Sequence, residues 1–245
     1  MRSSRRRIIQ LDEVDSTNAY AERLIASGRF PEGTVVSARY QSAGKGQGAH
    51  RWESERGKNI LMTILLKPSF LPAGSQFLLN KAVTLGVCDC LTALGLTPAI
   101  KWPNDLYAGQ GKIGGILITH RVSGEVITAT IAGIGININQ SEFPGSLSNP
   151  VSVKTLTGRE TDPGEALIQL IGALDRRYAM LKKGDPGTVE EEYLKKLAGL
   201  GQFKTYRSAA GEFEGKICGV DAFGRLLVET RDRKVTAYMH GEIIL

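Results

Sequence analysis

The sequence predicts an α+β chain that ends in a small β-barrel, and three observations carry that prediction. The stretch from Gln76 to Leu94 is apolar at helical spacing, the run from Ala99 to Asn139 is rich in short β-forming segments, and beyond Gly201 brief alternating strands are broken by Gly and Asp. The 245 residues, 42% hydrophobic and 23% charged, suffice for one large domain or a main domain with a small companion. Gly199 and Gly201 mark the expected boundary, giving segments 1–200 and 201–245.

Taken in order, residues 7–11 read as a short strand. The following DSTNAYAERLIASG opens with Asp15 or Ser16 as a helix cap and closes at Gly28. A strand over 34–40, TVVSARY, leads into the loop AGKGQGAHRW at 43–52, and NILMTILLKP then reads as a buried strand ended by Pro68. In the long helix, Leu79, Ala82, Val83, Gly86, Val87, Cys90, Leu91 and Leu94 form a face that should pack on a sheet. AIKW, DLYA, KIGGILITHRV and EVITATIAGIGINI follow as strands, with VSGE as a hairpin turn. Two further helices are expected after the Pro-Gly at 163 and at TVEEEYLKKLAGL. No solenoid repeat or low-complexity tract interrupts the chain.

The formal net charge of +6 suits an anionic ligand, an acidic protein partner or nucleic acid, and does not choose among them. The run RSSRRR at 2–7 could touch nucleic acid or a membrane, but reads first as a solvated terminus. No stretch approaches the length of a membrane-spanning helix and no signal-peptide core follows the arginines, so a cytoplasmic chain without a membrane partner is expected. Cys88, Cys90 and Cys218 include no CxxC pair and are odd in number, which points to reduced packing thiols rather than a disulfide, a metal site or a nucleophile.

Five segments carry polar or glycine patterns with chemical potential. In AGKGQGAHRW the glycines let backbone N–H groups approach a ligand and Lys45 adds a point charge, so the loop is either an anion cradle or a mobile hairpin. It has neither the P-loop order nor a GxGxxG opening a helix. KWPND at 101–105 projects the Asn104 amide and the Asp105 carboxylate from a rigid corner, a geometry equally suited to a plain turn. An amide can read an adenine edge, and a carboxylate can hold Mg²⁺. GKIGGIL at 111–117 starts a strand with Lys112, either an edge-strand guard or an electrostatic clamp. GIGININ at 133–139 leaves room above a strand at Gly133 and Gly135, or allows close backbone packing, and sets Asn137 and Asn139 on one face. For STN at 16–18, helix capping alone is a sufficient explanation.

As an ordered set these segments resemble the biotin protein ligases, also called biotin-[acetyl-CoA-carboxylase] ligases, from about Ile9 to the end of the chain. The closing GVDAFGRLLVE and HGEI resemble the small SH3-like C-terminal barrel of that family. The resemblance implies a mixed, largely antiparallel sheet flanked by helices, and a two-step reaction: biotin and MgATP give biotinyl-5'-AMP and pyrophosphate, and a lysine of a biotin carboxyl carrier protein then takes the biotinyl group. Two anions must meet, so cations and N–H donors matter more than a protein nucleophile, and no redox cofactor is implied.

By resemblance Lys112 and Lys45 are the catalytic cations, and both face biotin and ATP. Ser16, Thr17, Asn18 and Gln41, with Gly46, Gln47, Gly114 and Gly115, match the biotin-binding positions. Trp52, Asn104, Asp105 and Asn137 match the ATP side, with Asp105 as the Mg²⁺ candidate. The family loop commonly reads GRGRxGRxW, whereas Lys45 and Gln47 stand here in place of two arginines, so a weaker hold on biotinyl-AMP is expected unless His50 or Arg51 folds over in compensation. Fifteen residues before Ser16 are too few for a helix-turn-helix, so specific DNA binding is not expected, while a homodimer stays open. The rivals are a lipoate ligase or octanoyltransferase, whose RRxxGGGxVxHD segment is absent, and a nucleic-acid-binding barrel, whose aromatic platform is not legible in the scattered Phe203, Tyr206, Phe213, Phe223 and Tyr238.

Overall fold

Short runs of β-branched and other aliphatic residues build the central strands, and the computed structural model, which describes residues 7–28, 30–48, 50–145, 147 and 149–244, shows how they assemble. β1 (Ile8–Val14), α1 (Thr17–Ala26) and β2 (Val35–Gln41) form a crossover unit with β1 and β2 parallel. β3 (Asn59–Leu66) precedes the long α2 (Gln76–Ala93). β4 (Pro98–Lys101) and β5 (Asp105–Ala108) pair around the KWPND corner, where the Trp102–Pro103 bond is cis. β6 (Gly111–Ser123) and β7 (Val126–Asn137) make a long hairpin whose turn has Gly124 at φ 59°, as VSGE predicts.

These seven strands form one sheet in the order β1-β2-β3-β7-β6-β5-β4, antiparallel at every pair except the first. The mixed, largely antiparallel character expected from the resemblance is therefore present. The two faces of the sheet have different fates. Ala132, Ile134 and Ile136 of β7 and Ile138 just past its end, with Ile60, Met62 and Ile64 of β3, join the main apolar cluster with Leu79, Val83 and Leu91 of α2. Each such fully buried aliphatic side chain contributes about 1.5–3 kcal/mol. Ile131 of β7 and Leu65 of β3 point the other way, against Ala21 of α1. Past α1, that second face is where polar residues gather.

Three more helices follow: α3 (Val153–Thr157), α4 (Pro163–Lys182) and α5 (Pro186–Lys196). The short α3 is not foreseen in the sequence reading; Ser152 and Thr155 cap it reciprocally. α4 and α5 start at Asp162 and Asp185, whose side chains accept from Glu165 N and Thr188 N, and both carry proline in the first turn. Both helices pack against α2.

Beyond Gly201 come β8 (Phe203–Ser208), β9 (Gly211–Val220), β10 (Leu226–Thr230), β11 (Val235–Tyr238) and β12 (Ile243–Ile244). They form a five-stranded antiparallel sheet, β11-β10-β9-β8-β12. The closure that the expected barrel would bring is not seen among the described residues. Among the described residues no ladder joins β11 to β12, and the four and two residues of those strands leave little backbone with which to close the sheet. Tyr206, Ile217, Leu226 and Ile243 of this sheet belong to the same apolar cluster as α2 and β7. Trp102 donates its indole N–H to Gly224 O at 2.9 Å, and Gly201 N donates to Ile217 O at 2.8 Å.

Candidate active site

On the α1 face of the seven-stranded sheet, β7 lacks side chains where two other residues need the space. A Cβ at Gly133 would lie 2.3 Å from Asn18 Oδ1, and one at Gly135 would lie 2.5 Å from Trp52 Cε2. Of the two readings of GIGININ, room above the strand is the one realised, and an amide and an indole fill it.

The STN segment leads into α1, but capping does not account for it. Ser16 is the N-cap residue without a side-chain capping bond. Thr17 instead donates through both its N–H and its hydroxyl to Gln41 Oε1, at 2.8 and 3.0 Å. Asn18 donates its amide to Leu117 O at 3.3 Å and accepts from the Thr63 hydroxyl at 2.6 Å. Ser16, Thr17 and Asn18 are all buried. Gln41 ends β2 beside them, so a compact group of hydroxyls and amides forms one end of the site.

Lys112 reaches the same face because β6 is bulged. Leu106 pairs with Gly114 and Tyr107 with Lys112, leaving Ile113 as the extra residue. Residues three apart on a regular strand face opposite ways; the bulge turns Lys112 to the side of Gly115. A Cβ on Gly115 would lie 3.8 Å from Lys112 Cε, 3.7 Å from Asp105 Oδ1 and 3.3 Å from Trp52 Cζ3. Lys112 Nζ is ion-paired with Asp105 Oδ1 at 2.7 Å, both side chains about one-third exposed (34% and 30%). Burial pushes the neighbouring Tyr107 phenol up, with Asp105 adding to the shift.

The two asparagines expected on the nucleotide side both border the cavity, with their amides already engaged. Asn104 donates to Ile116 O and Asn137 donates to Val151 O at 2.9 Å, so each braces neighbouring backbone as well.

The loop 43–52 is a folded hairpin that also walls the site. Lys45 and Arg51 form an antiparallel bridge, Gly46 N donates to His50 O at 2.8 Å, and Trp52 N donates to Gly44 O at 3.1 Å. Trp52 lays its indole over Gly135 and Gly115, with its N–H buried and unpartnered.

Together these elements enclose a cavity of about 490 Å³, of a size that suits a small organic ligand. Of the residues singled out in the sequence, Ser16, Thr17, Asn18 and Gln41 line it at one end. Lys45, Gly46, Gln47 and Trp52 line it from the loop, and Asn104, Asp105, Lys112, Gly115 and Asn137 from the sheet. Gly114 does not. It is buried in the ladder, where a Cβ would meet Gly135 O at 2.9 Å, because successive strand residues face opposite ways and Gly115 is the one on the cavity side.

Lys45, Arg51, Lys101 and Lys112 face the cavity against Glu53 and Asp105, so the balance favours an anion. Among the described residues no group of three His, Cys, Asp or Glu side chains could hold a metal. Asp105 therefore belongs to no such group, and it is already paired with Lys112. Several lining residues are not foreseen: Phe143, Leu147 and Pro150 from the β7–α3 connection, and His240 from the terminal sheet. The His240 ring lies 6.0 Å from that of Trp102. The HGEI motif contains His240, but nothing local signals that it returns to the cavity.

The family sequence model described as Biotin/lipoate A/B protein ligase family matches residues 11–137, just over half the chain. The chain belongs to that family. A biotin--[acetyl-CoA-carboxylase] ligase of Paracoccus denitrificans is 34% identical to it over 89% of this chain and 92% of that one. A bifunctional ligase/repressor BirA of Bacillus spizizenii is 31% identical, covering 92% of this chain and 70% of that protein. Among solved structures of the family, the biotin protein ligase from Aquifex aeolicus in complex with biotin and ATP is similar with a TM-score of 0.79, 27% identity and 97% coverage of both chains. The family match runs from within β1 to the end of β7 and hence covers the STN segment, the loop, the bulge and the glycine strand, whereas Phe143 and His240 lie beyond it.

Proposed function

We propose that this chain is an ATP-dependent biotin–protein ligase: it activates biotin as biotinyl-5'-AMP and transfers it to a lysine of a biotin carboxyl carrier protein of acetyl-CoA carboxylase. The observation that carries the reading is the aim of Lys112. Its side chain lines the cavity that Thr17, Asn18 and Gln41 also line, over Gly115 beside the Trp52 indole and paired with Asp105, where an acid activated at one end by a nucleotide at the other needs positive charge.

In the first step a biotin carboxylate oxygen attacks the α-phosphorus of MgATP, and the bond to the bridging oxygen breaks with pyrophosphate taking the electron pair. Two anions approach, so Lys112 and Lys45 lower the barrier by holding positive charge where negative charge concentrates. Thr17, Asn18, Gln41 and Ser16 hold the ureido ring, which needs both donors and acceptors. Gly46, Gln47 and Gly115 line the path between the two ends. Trp52, Asn104 and Asn137 border the adenosine.

In the second step the carrier lysine amine attacks the acyl carbon, AMP leaves, and the amine loses its proton. No side chain of this chain forms a covalent bond. Magnesium arrives with the triphosphate, since Mg²⁺ sites of this kind use one or two carboxylates plus substrate phosphates, and Asp105 is the carboxylate beside Lys112. Residues 1–200 form the catalytic part of this reading and residues 201–245 its SH3-like unit, working in the cytoplasm where ATP and carrier meet.

The test is direct. Incubated with MgATP, biotin and a purified biotin carrier domain, the protein labels the carrier and releases pyrophosphate, with lipoate inactive in place of biotin. Lys112→Ala loses at least about a hundredfold of that activity, the scale of one electrostatic group aimed at a transition state. Labelling with lipoate instead of biotin, or an undiminished Lys112→Ala, overturns the reading.

A further inference from the structure

Asn18 lies flat across three strands. Its carboxamide sits over Gly133 of β7, its oxygen accepts from the Thr63 hydroxyl on β3 at 2.6 Å, and its nitrogen donates to Leu117 O on β6 at 3.3 Å. Thr63 and Leu117 both pair with Gly133, so the amide bridges the neighbours of the strand beneath it.

The chemistry of the two partners sets which way the amide points. A backbone carbonyl only accepts, so Leu117 O requires the Asn18 nitrogen on its side. A hydroxyl can donate or accept, and Thr63 takes the donating role that the Asn18 oxygen then offers. Thr63 is fully buried and lies outside the cavity wall, so water does not compete for its hydroxyl. The remaining N–H of Asn18 is the group left for the cavity. Gln41 shows the same polarity: Thr17 N–H and hydroxyl both donate to its oxygen, leaving its NH₂ group free of them.

We infer that Thr63 is a positioning residue for ligand recognition: by donating to Asn18 Oδ1 it locks the amide with an N–H toward the cavity, making that end selective for a ligand acceptor. The inference rests on the biotin-ligase reading, in which the acceptor is the ureido oxygen. Thr63 touches no ligand itself; it acts through Asn18.

Without the hydroxyl, the Asn18 oxygen loses its buried donor and the amide can turn or tilt. The cost falls on the ligand that reads the amide and spares one bound at the far end of the cavity. Thr63→Val, similar in shape, should therefore raise the Kd for biotin about tenfold, the effect of one misaligned hydrogen bond. The Kd for ATP should stay within about twofold by the same scale.

Thr63→Ser, which keeps the hydroxyl, should bind biotin like the parent. Calorimetric titration of parent and variants with biotin and, separately, with MgATP reads all of these, and circular dichroism checks the fold. If valine prevents folding, Thr63→Ala carries the same comparison. An unchanged biotin Kd, equal weakening of biotin and ATP, or no rescue by serine overturns the inference. A parent protein that binds ATP but not biotin refutes the ligase reading itself, and the role assigned to Thr63 falls with it.

Discussion

His120 shows how much of one residue's behaviour is set by its neighbours. Its Nε2 lies 3.1 Å from Asn80 Oδ1 and its Nδ1 lies 2.8 Å from Thr130 Oγ1. The Asn80 oxygen can only accept, so the neutral ring carries its proton on Nε2 and receives one from Thr130. Burial depresses its pKa to about 4 from the ordinary 6.5. The unfolded chain thus takes up a proton in the window between those values that the folded chain refuses. This contribution to stability is complete above the unfolded value and is lost as pH falls toward about 4. We expect the protein to be about 2 kcal/mol less stable at pH 4.5 than at pH 7 from this group, given about 1.4 kcal/mol per pKa unit and a discount for partial solvent access. Urea unfolding at both pH values checks it, since His120→Gln should remove that increment. In the sequence His120 is simply a polar residue in a strand. Lys112 is different: a lone cation opening a glycine-rich apolar strand is visible as unusual, although its partner Asp105 and its direction are not.

At the scale of the elements, turn and strand chemistry is legible in the residue types and the bulge is not. KWPND, VSGE and the Pro-started helices carry their geometry in proline, glycine and capping side chains, and the structure places turns and helix starts there. The extra residue at Ile113 depends on how β5 meets β6, and no residue in KIGGIL announces it. Yet the bulge decides that Lys112 shares a face with Gly115, whose neighbour Gly114 turns into the ladder. The glycines of β7 are legible as spaces but not as spaces for particular groups. Because a Cβ at Gly135 would lie 2.5 Å from the Trp52 ring, Gly135→Ala should displace the indole without breaking the strand. Overpacking of this kind costs about 1–3 kcal/mol, so nucleotide affinity should fall about tenfold, with a red shift of tryptophan emission as the indole leaves its pocket. Unchanged emission and ATP affinity would show that the indole does not rely on that space.

At the scale of the whole molecule, the boundary drawn at Gly199 and Gly201 separates two sheets but not two cores. Phe77 of α2 fills the space over Gly224, where a Cβ would sit 2.5 Å from its ring, and Tyr206, Leu226 and Ile243 join the cluster around α2. The two sheets should therefore unfold together. Calorimetry and near-ultraviolet dichroism should give a single coincident thermal transition, and two resolved transitions would contradict the shared core.

The sequence by itself determines the local chemistry of this protein: most of the strands and helices, though not the short α3, with the corners, the glycine gaps, the cations and the amides, all of which follow from side-chain type and spacing within a few residues. The tertiary structure alone decides their assembly. It brings Thr17 to Gln41, Asn18 to Thr63 and Leu117, Lys112 to Asp105, Trp52 onto Gly135, and His240 and Phe143 to the cavity. The physical reason is that strand register, the bulge and the burial of one sheet face against α2 are collective. Each is settled by contacts between residues far apart in the chain, and no local pattern encodes which side chains will meet on the face left open.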